Sequence, residues 1–159
     1  RIAFNPLGQS DFTLEFGRIW GRLPFPLLQL YPGNETYFYD AYAFNLMNFY
    51  EFIGDQWASL FWVHHFNGLL FNKVPVFRKL KWREVASLRA AVGSFSNKHA
   101  SELELPQGLF TLNKPYAEVG VGIENILKIF RVDALWRLSY LNNPDVVPFG
   151  VRVTFQIEF

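Results

Sequence analysis

Hydrophobic and polar positions alternate with a period of two over long stretches of this chain, the signature of β-strands whose two faces meet different surroundings. Val119, Val121 and Ile123 share one face of a segment whose other face carries Glu118, Gly120, Gly122 and Glu124. After a short link at Ile126, Leu127 and Lys128, the residues Val132, Ala134, Trp136, Leu138 and Tyr140 alternate with Arg131, Asp133, Leu135, Arg137 and Ser139. Leu135 is the one apolar residue on that polar side. Phe149, Val151, Val153, Phe155, Ile157 and Phe159 then face away from Arg152, Thr154, Gln156 and Glu158. Upstream, Phe12 to Trp20, Trp57 to Asn67 and Arg83 to Ser96 also read as strands, the third with Ala86, Leu88, Ala90 and Val92 on one face. The six predicted strands are separated by Asn5-Pro6-Leu7-Gly8, a long segment from Gly21 to about Gln56, the Pro75 region, a polar stretch from Asn97 to Pro115, and Asn142-Asn143-Pro144-Asp145.

Periodicity alone does not say which face is inside. A transmembrane β-barrel turns its apolar face to lipid, whereas a soluble sandwich or barrel turns it inward. Composition bears on the choice: the chain is 50% hydrophobic and 19% aromatic, with 18 Phe among 159 residues, and only 18% charged, where soluble domains carry about 25%. This excludes disorder. No run approaches the roughly 18 uninterrupted apolar residues of a membrane helix. Aromatics near strand ends, namely Trp20, Trp57, Trp82, Tyr116, Tyr140 and Phe149, fit interfacial girdles, and Glu118, Glu124, Arg131, Asp133 and Arg137 fit a charged ladder lining a lumen. The expected fold is therefore all-β, an antiparallel transmembrane β-barrel, with a soluble all-β binding domain as the alternative. Six strands fall short of the about eight that the smallest membrane barrels need, and an open edge in lipid is costly. Residues 1–159 are accordingly expected to form the C-terminal part of one larger barrel, some six to eight of its strands, with a long loop at about 21–56 and Ile2 to Phe4 ending a preceding strand.

Charge and reactive residues narrow the function. With 15 Lys+Arg against 14 Asp+Glu, the chain lacks the basic excess of a nucleic-acid binder. The absence of cysteine removes disulfides, thiolate metal sites and cysteine nucleophiles. His64 and His65 are adjacent, so on a strand they point to opposite faces and do not chelate one ion; no metal or cofactor is expected. No Gly-x-Ser-x-Gly elbow accompanies Ser59, Ser87, Ser94 or Ser139, and the charged ladder fits cross-strand pairing better than catalysis, so the chain is not expected to be an enzyme. The basic run Arg78, Lys79, Lys81 and Arg83, punctuated by Phe77, Leu80 and Trp82, reads either as a solvated turn beside an interfacial tryptophan or as a surface for anionic headgroups or a partner protein. The aromatic-rich stretch with Tyr37, Phe38, Tyr39, Tyr42, Phe44, Phe49, Tyr50 and Phe52 is too hydrophobic to wave in solvent and is expected to fold into the lumen or dock on a partner.

Two further parts of the sequence carry a family resemblance. A strand followed by Gly17, Trp20, Gly21, Leu23-Pro24 and Pro32-Gly33-Asn34 is similar to the entry into the long sixth extracellular loop of the bacterial surface-antigen superfamily of outer-membrane barrels. Tyr116 to Ile126, Phe130 to Tyr140 and Phe149 to Phe159 resemble that superfamily's last three strands, which end on an aromatic. Counting strands back from a periplasmic Phe159 places the segment from Gly21 to Gln56 outside, in agreement with a sixth loop. The superfamily's Arg-Gly-Phe/Tyr loop-tip motif is missing, and Tyr42-Ala43-Phe44-Asn45-Leu46-Met47 stands in its place. More closely, the runs Gly33 to Asp40 and Leu80 to Glu84 resemble an uncharacterised Bacteroidota family with a carboxypeptidase-regulatory-like domain before the barrel. The resemblance implies a structural or translocation role in envelope biogenesis or transport. It implies that Pro32, Gly33, Asn34, Tyr37, Tyr39 and Asp40 shape the loop, and that Phe155, Ile157 and Phe159 present an insertion signal. The implied partners are outer-membrane lipid, the barrel-insertion machinery and other envelope proteins; a passive pore or ligand-binding barrel is the competing role.

Overall fold

The computed structural model describes residues 1–96, 106 and 108–155. Its described strands are β1 (Ile2–Ala3), β2 (Gln9–Arg18), β3 (Gln29–Leu30), β4 (Phe52–Gly54), β5 (Gln56–His65), β6 (Arg83–Ser94), β7 (Phe110–Thr111), β8 (Tyr116–Ile126), β9 (Phe130–Arg137) and β10 (Phe149–Phe155). The protein is all-β in architecture. Its described helical pieces are two 3-10 turns, Phe25–Leu27 and Phe71–Lys73, and one short helix, α1 (Pro75–Leu80). No described helix is long and apolar enough to cross a membrane, which bears only on helices.

Seven strands form one antiparallel sheet in the order β1-β2-β5-β6-β8-β9-β10, with β1 and β10 at its edges. Each long strand thus lies beside the next long strand, the topology that direct antiparallel connections favour. Because paired residues share a face, register carries the sequence alternation across the sheet. Phe12 pairs with Trp62, Leu14 with Leu60, Leu88 with Val119, and Val121 with Ala134, building one apolar face. On the other, Arg89 pairs with Glu118, Glu118 with Arg137, and Asp133 with Arg152. Leu135, the exception in the alternation, sits in register between Gly120 and Gly150, and Leu46 from the long loop reaches over Gly150.

β3, β4 and β7 make a second, small sheet in which β4 and β7 run parallel. The sequence pattern missed these strands, since two or three residues carry no readable period. The Pro75 region folds as helix because Pro75, at the first helical positions, needs no N–H partner there. Three of the expected girdle aromatics belong elsewhere. Tyr116 and Tyr140 are buried in the main core with Tyr31, Phe44, Met47, Phe52, Phe61, Ala91 and Leu112, and Trp57 packs against it. Tyr140 is not a strand residue at all: β9 ends at Arg137, and Tyr140 takes a left-handed conformation (φ 54°) in the following turn. Its hydroxyl accepts hydrogen bonds from the backbone N–H groups of Asn113 and Lys114. This core lies between the large sheet and the segment that connects β2 to β5, so that segment and the polar face bury one another.

Candidate functional site

The burial of the two faces runs opposite to that of a water-soluble sheet. Glu118 and Asp133 are 0% exposed, Arg89 1% and Arg137 3%, while Leu14 is 65% and Phe16 77% exposed. The five charged residues read from the alternation, Glu118, Glu124, Arg131, Asp133 and Arg137, are all buried on the polar face. What covers the middle of that face is the loop through residues 31–51.

The loop's fold begins at Pro32, Gly33 and Asn34. The Pro32 carbonyl accepts from the Phe44 N–H at 2.8 Å, and Asn34 N–H donates to the Met47 carbonyl at 3.0 Å, closing the loop on itself. Gly33 has no space for a side chain, because a Cβ there would lie 2.4 Å from the Asn48 carbonyl oxygen. The Asn34 amide donates to the Phe38 carbonyl and to Asn45 Oδ1, each at 2.7 Å, while its oxygen accepts from Thr36. Asp40 accepts from the Tyr42 N–H at 2.8 Å in an Asx turn. Asn45, itself fully buried, ties these pieces together: its oxygen accepts from the Asp40 N–H and its amide donates to the Asp40 and Ala43 carbonyls.

Charged groups on three neighbouring strands seat this loop on the sheet. The Glu118 carboxylate on β8 accepts from the backbone N–H groups of Asn45 (2.9 Å) and Leu46 (2.7 Å) and from the Tyr116 hydroxyl (2.5 Å). A buried carboxylate needs such donors to offset its lost hydration. Arg137 on β9 uses all its donors: two on the Glu51 carboxylate at 2.8 and 2.6 Å, and others on the carbonyls of Leu46, Ser139 and Tyr140. Arg152 on β10 adds a bond to the Asn45 carbonyl at 2.8 Å. Farther along the face, the Tyr39 ring lies against two guanidiniums, Arg89 at 4.6 Å and Arg131 at 4.5 Å. Arg131 is also bidentate to Asp133 at 2.7 Å. Glu124 stands apart from the loop and bonds His65 at 2.7 Å. Buried in the loop's own core beside Tyr140, the Tyr31 phenol is held above the ordinary tyrosine range, chiefly by burial, and stays protonated at neutral pH.

The loop also touches the edge of the sheet. Residues 37–39 run parallel to β10, with Tyr39 N–H donating to the Val153 carbonyl and Val153 N–H to the Tyr37 carbonyl, both at 3.0 Å. Of the other loop aromatics, Phe44 and Phe52 are fully buried, but Tyr37, Phe38, Tyr42, Phe49 and Tyr50 are exposed, so the aromatic stretch does not pack as a unit. Phe155 is exposed on the apolar face; Ile157 and Phe159 lie outside the described residues.

Sequence reasoning missed Arg89, Glu51 and Arg152. Arg89 was signalled by its place opposite Leu88 and Ala90; Glu51, in the loop, had no periodic signal. His64 and His65 do point to opposite faces. His64, on the apolar face, accepts or donates at Ser10 Oγ (2.7 Å) and meets the Leu7 carbonyl at 3.1 Å, while Trp62 donates to Ser10. The serine is thus buried and bonded to both His64 and Trp62. Between the loop and the polar face, Asp11, Thr13, Tyr39, His65, Arg131 and Thr154 line part of a cavity of about 430 Å³.

An antiparallel all-β protein with a loop bonded to its charged face and a bare apolar face is the class that fold and site define. Residues 1–105 match the C-terminal domain of a family of unknown function, DUF5686, and the chain belongs to that family. The matched residues hold β1 to β6 and the whole loop; Glu118, Arg137 and Arg152, which grip it, lie beyond them. No curated protein and no solved structure matches the chain.

Proposed function

We propose that this chain is part of the wall of a bacterial outer-membrane β-barrel, with its apolar face toward lipid, its charged face toward the lumen, and the 31–51 loop seated inside. The observation that carries the reading is the inverted burial: Arg89, Glu118 and Arg137 beneath the loop, and Leu14, Phe16, Val121 and Phe155 bare on the opposite face. Water penalises the second arrangement and hydrocarbon favours it. The β1 edge, and the β10 edge outside the stretch at Val153 that residues 37–39 cover, require further strands in lipid, so the reading includes wall contributed from outside residues 1–159. The role is structural or translocational, in envelope biogenesis or transport, and not enzymatic. The bonds from Glu118 and Arg137 to the loop support it, since a loop held by buried charges fills a lumen and leaves any passage under its control. A second reading, a passive pore or ligand-binding barrel, is favoured by the cavity that Asp11, His65 and Arg131 help to line. Planar-bilayer conductance with ordinary ion selectivity would support the pore.

The experiment for the main reading is electrophoresis of the full-length gene product in cold SDS, with fractionation of the cells. A band that runs compact unheated and shifts on boiling, in the outer-membrane fraction, is the expected result. A heat-insensitive protein in the soluble fraction would leave the alternative, a soluble all-β binding domain.

A further inference from the structure

The connection between β5 and β6 is the one strongly basic segment of the chain. Residues 70–83 contain Lys73, Arg78, Lys79, Lys81 and Arg83 and no acidic residue; taking these five cations from a net charge of +1 leaves the remainder at −4. Structure concentrates them. The 3-10 turn Phe71–Lys73 leads into α1, and Glu84 fastens the entry by accepting from the backbone N–H groups of Leu70 and Phe71. Phe71, Phe77 and Trp82 form a stack, with ring centroids 4.6 and 5.7 Å apart, that holds the turn and helix against the strand start. Around it, Leu70, Val74, Val76 and Leu80 are exposed. Lys73, Arg78, Lys79 and Lys81 are exposed too, and none has a side-chain hydrogen bond or ion pair among the described residues. The connection lies at the end of the sheet opposite the loop, the same end as the 127–129 turn.

We infer that this connection is an interfacial anchor for anionic phospholipid, with Lys73, Arg78, Lys79 and Lys81 on headgroup phosphates and Val74, Val76 and Leu80 at the acyl boundary. Unpaired cations beside bare apolar side chains suit a surface that offers negative charge and hydrocarbon within a few ångströms. A solvated turn gains nothing from four exposed apolar residues, and the connection joins the ends of the two strands whose apolar face carries Trp62 and Leu88. The inference rests on the barrel reading, so its test must separate the two.

The full-length protein carrying Val76→Cys, labelled with a polarity-sensitive fluorophore, is reconstituted in phosphatidylcholine vesicles and in vesicles with about one-third phosphatidylglycerol. The expected result is a blue-shifted emission in the anionic vesicles only. The shift is lost at about 1 M salt, where screening reaches roughly 3 Å. It is also lost when Lys73→Gln, Arg78→Gln, Lys79→Gln and Lys81→Gln are combined, while the compact cold-SDS band persists in both vesicle types. Equal emission in the two vesicles, or a shift that survives the quadruple variant, overturns the anchor and leaves the barrel standing. Emission that responds to an added soluble protein but not to lipid charge also overturns it. Loss of the compact band in every vesicle instead removes the barrel reading, and the anchor with it.

Discussion

On one face of the large sheet, charged residues from three strands are buried and bonded; on the other, side chains as apolar as Leu14, Phe16 and Val121 are exposed. The strands are the same, and only the parity of position differs. The buried face is specific: Glu118 accepts three hydrogen bonds, Arg137 reaches two carboxylate oxygens and three carbonyls, and the loop's Leu46 joins both networks, its N–H donating to Glu118 and its carbonyl accepting from Arg137. The bare face is generic, with ring contacts such as Phe12 on Trp62 and Trp136 on Phe149, and its polar bonds among the described residues lie toward one end, at Ser10, His64 and Glu84. The difference teaches that the charged face has been built for a single occupant, its own loop, and the apolar face for a solvent. On the proposed reading that solvent is hydrocarbon, which favours the second face where water penalises it.

Breaking the buried network has the largest expected effect. Glu118→Ala leaves two backbone N–H groups and the Tyr116 hydroxyl without their acceptor and buried Arg89 without a nearby opposite charge, and should cost about 3–5 kcal/mol, read as a lower urea midpoint of the folded, heat-modifiable form. Next is the bare face. Val121→Arg, at the middle of β8, should cost about 2–4 kcal/mol in vesicles if that face meets lipid, and nearly nothing if it meets water. Asn45→Ala removes bonds only within the loop and to its turn; about 1–3 kcal/mol and faster proteolysis between residues 35 and 50 are expected, with the sheet intact. Phe38→Cys with Val153→Cys, on bridged neighbours, should form a disulfide in the full chain if the 37–39 segment holds the β10 edge there. Tyr37→Ala, at the most exposed loop aromatic, should change stability by no more than about 0.5 kcal/mol.

Much of this architecture was legible in the chain because its long strands have two unlike faces. The six strands, their faces and the five ladder charges follow from alternation, and register then brings Glu118 beside Arg137. The strands β3, β4 and β7 were illegible because they are held by neighbours distant in sequence and not by any pattern of their own. The same distance hid the site's assembly: Glu118 bonds residues more than 70 positions away, and nothing near Glu51 announces that Arg137 will reach it. Tyr116 and Tyr140 were misassigned for another reason. An aromatic at a strand end serves equally at an interface or in a core, and the loop's Phe44 and Phe52 decide the matter by packing on them. Asn34 and Gly33 were legible as turn formers, but the Asn45 amide that completes their hydrogen bonds was not.

The central claim, that one face meets lipid and the other does not, is tested most directly by spin labels at single cysteines in the full-length protein in vesicles. Leu60, Leu88 and Val121 represent the apolar face, and Thr13 and Val63, which line the cavity, represent the polar one. The account predicts that labels at the first three collide with dissolved oxygen and not with a water-soluble nickel complex, and that labels at Thr13 and Val63 do the reverse. Free access of nickel to Leu60, Leu88 and Val121 would contradict it.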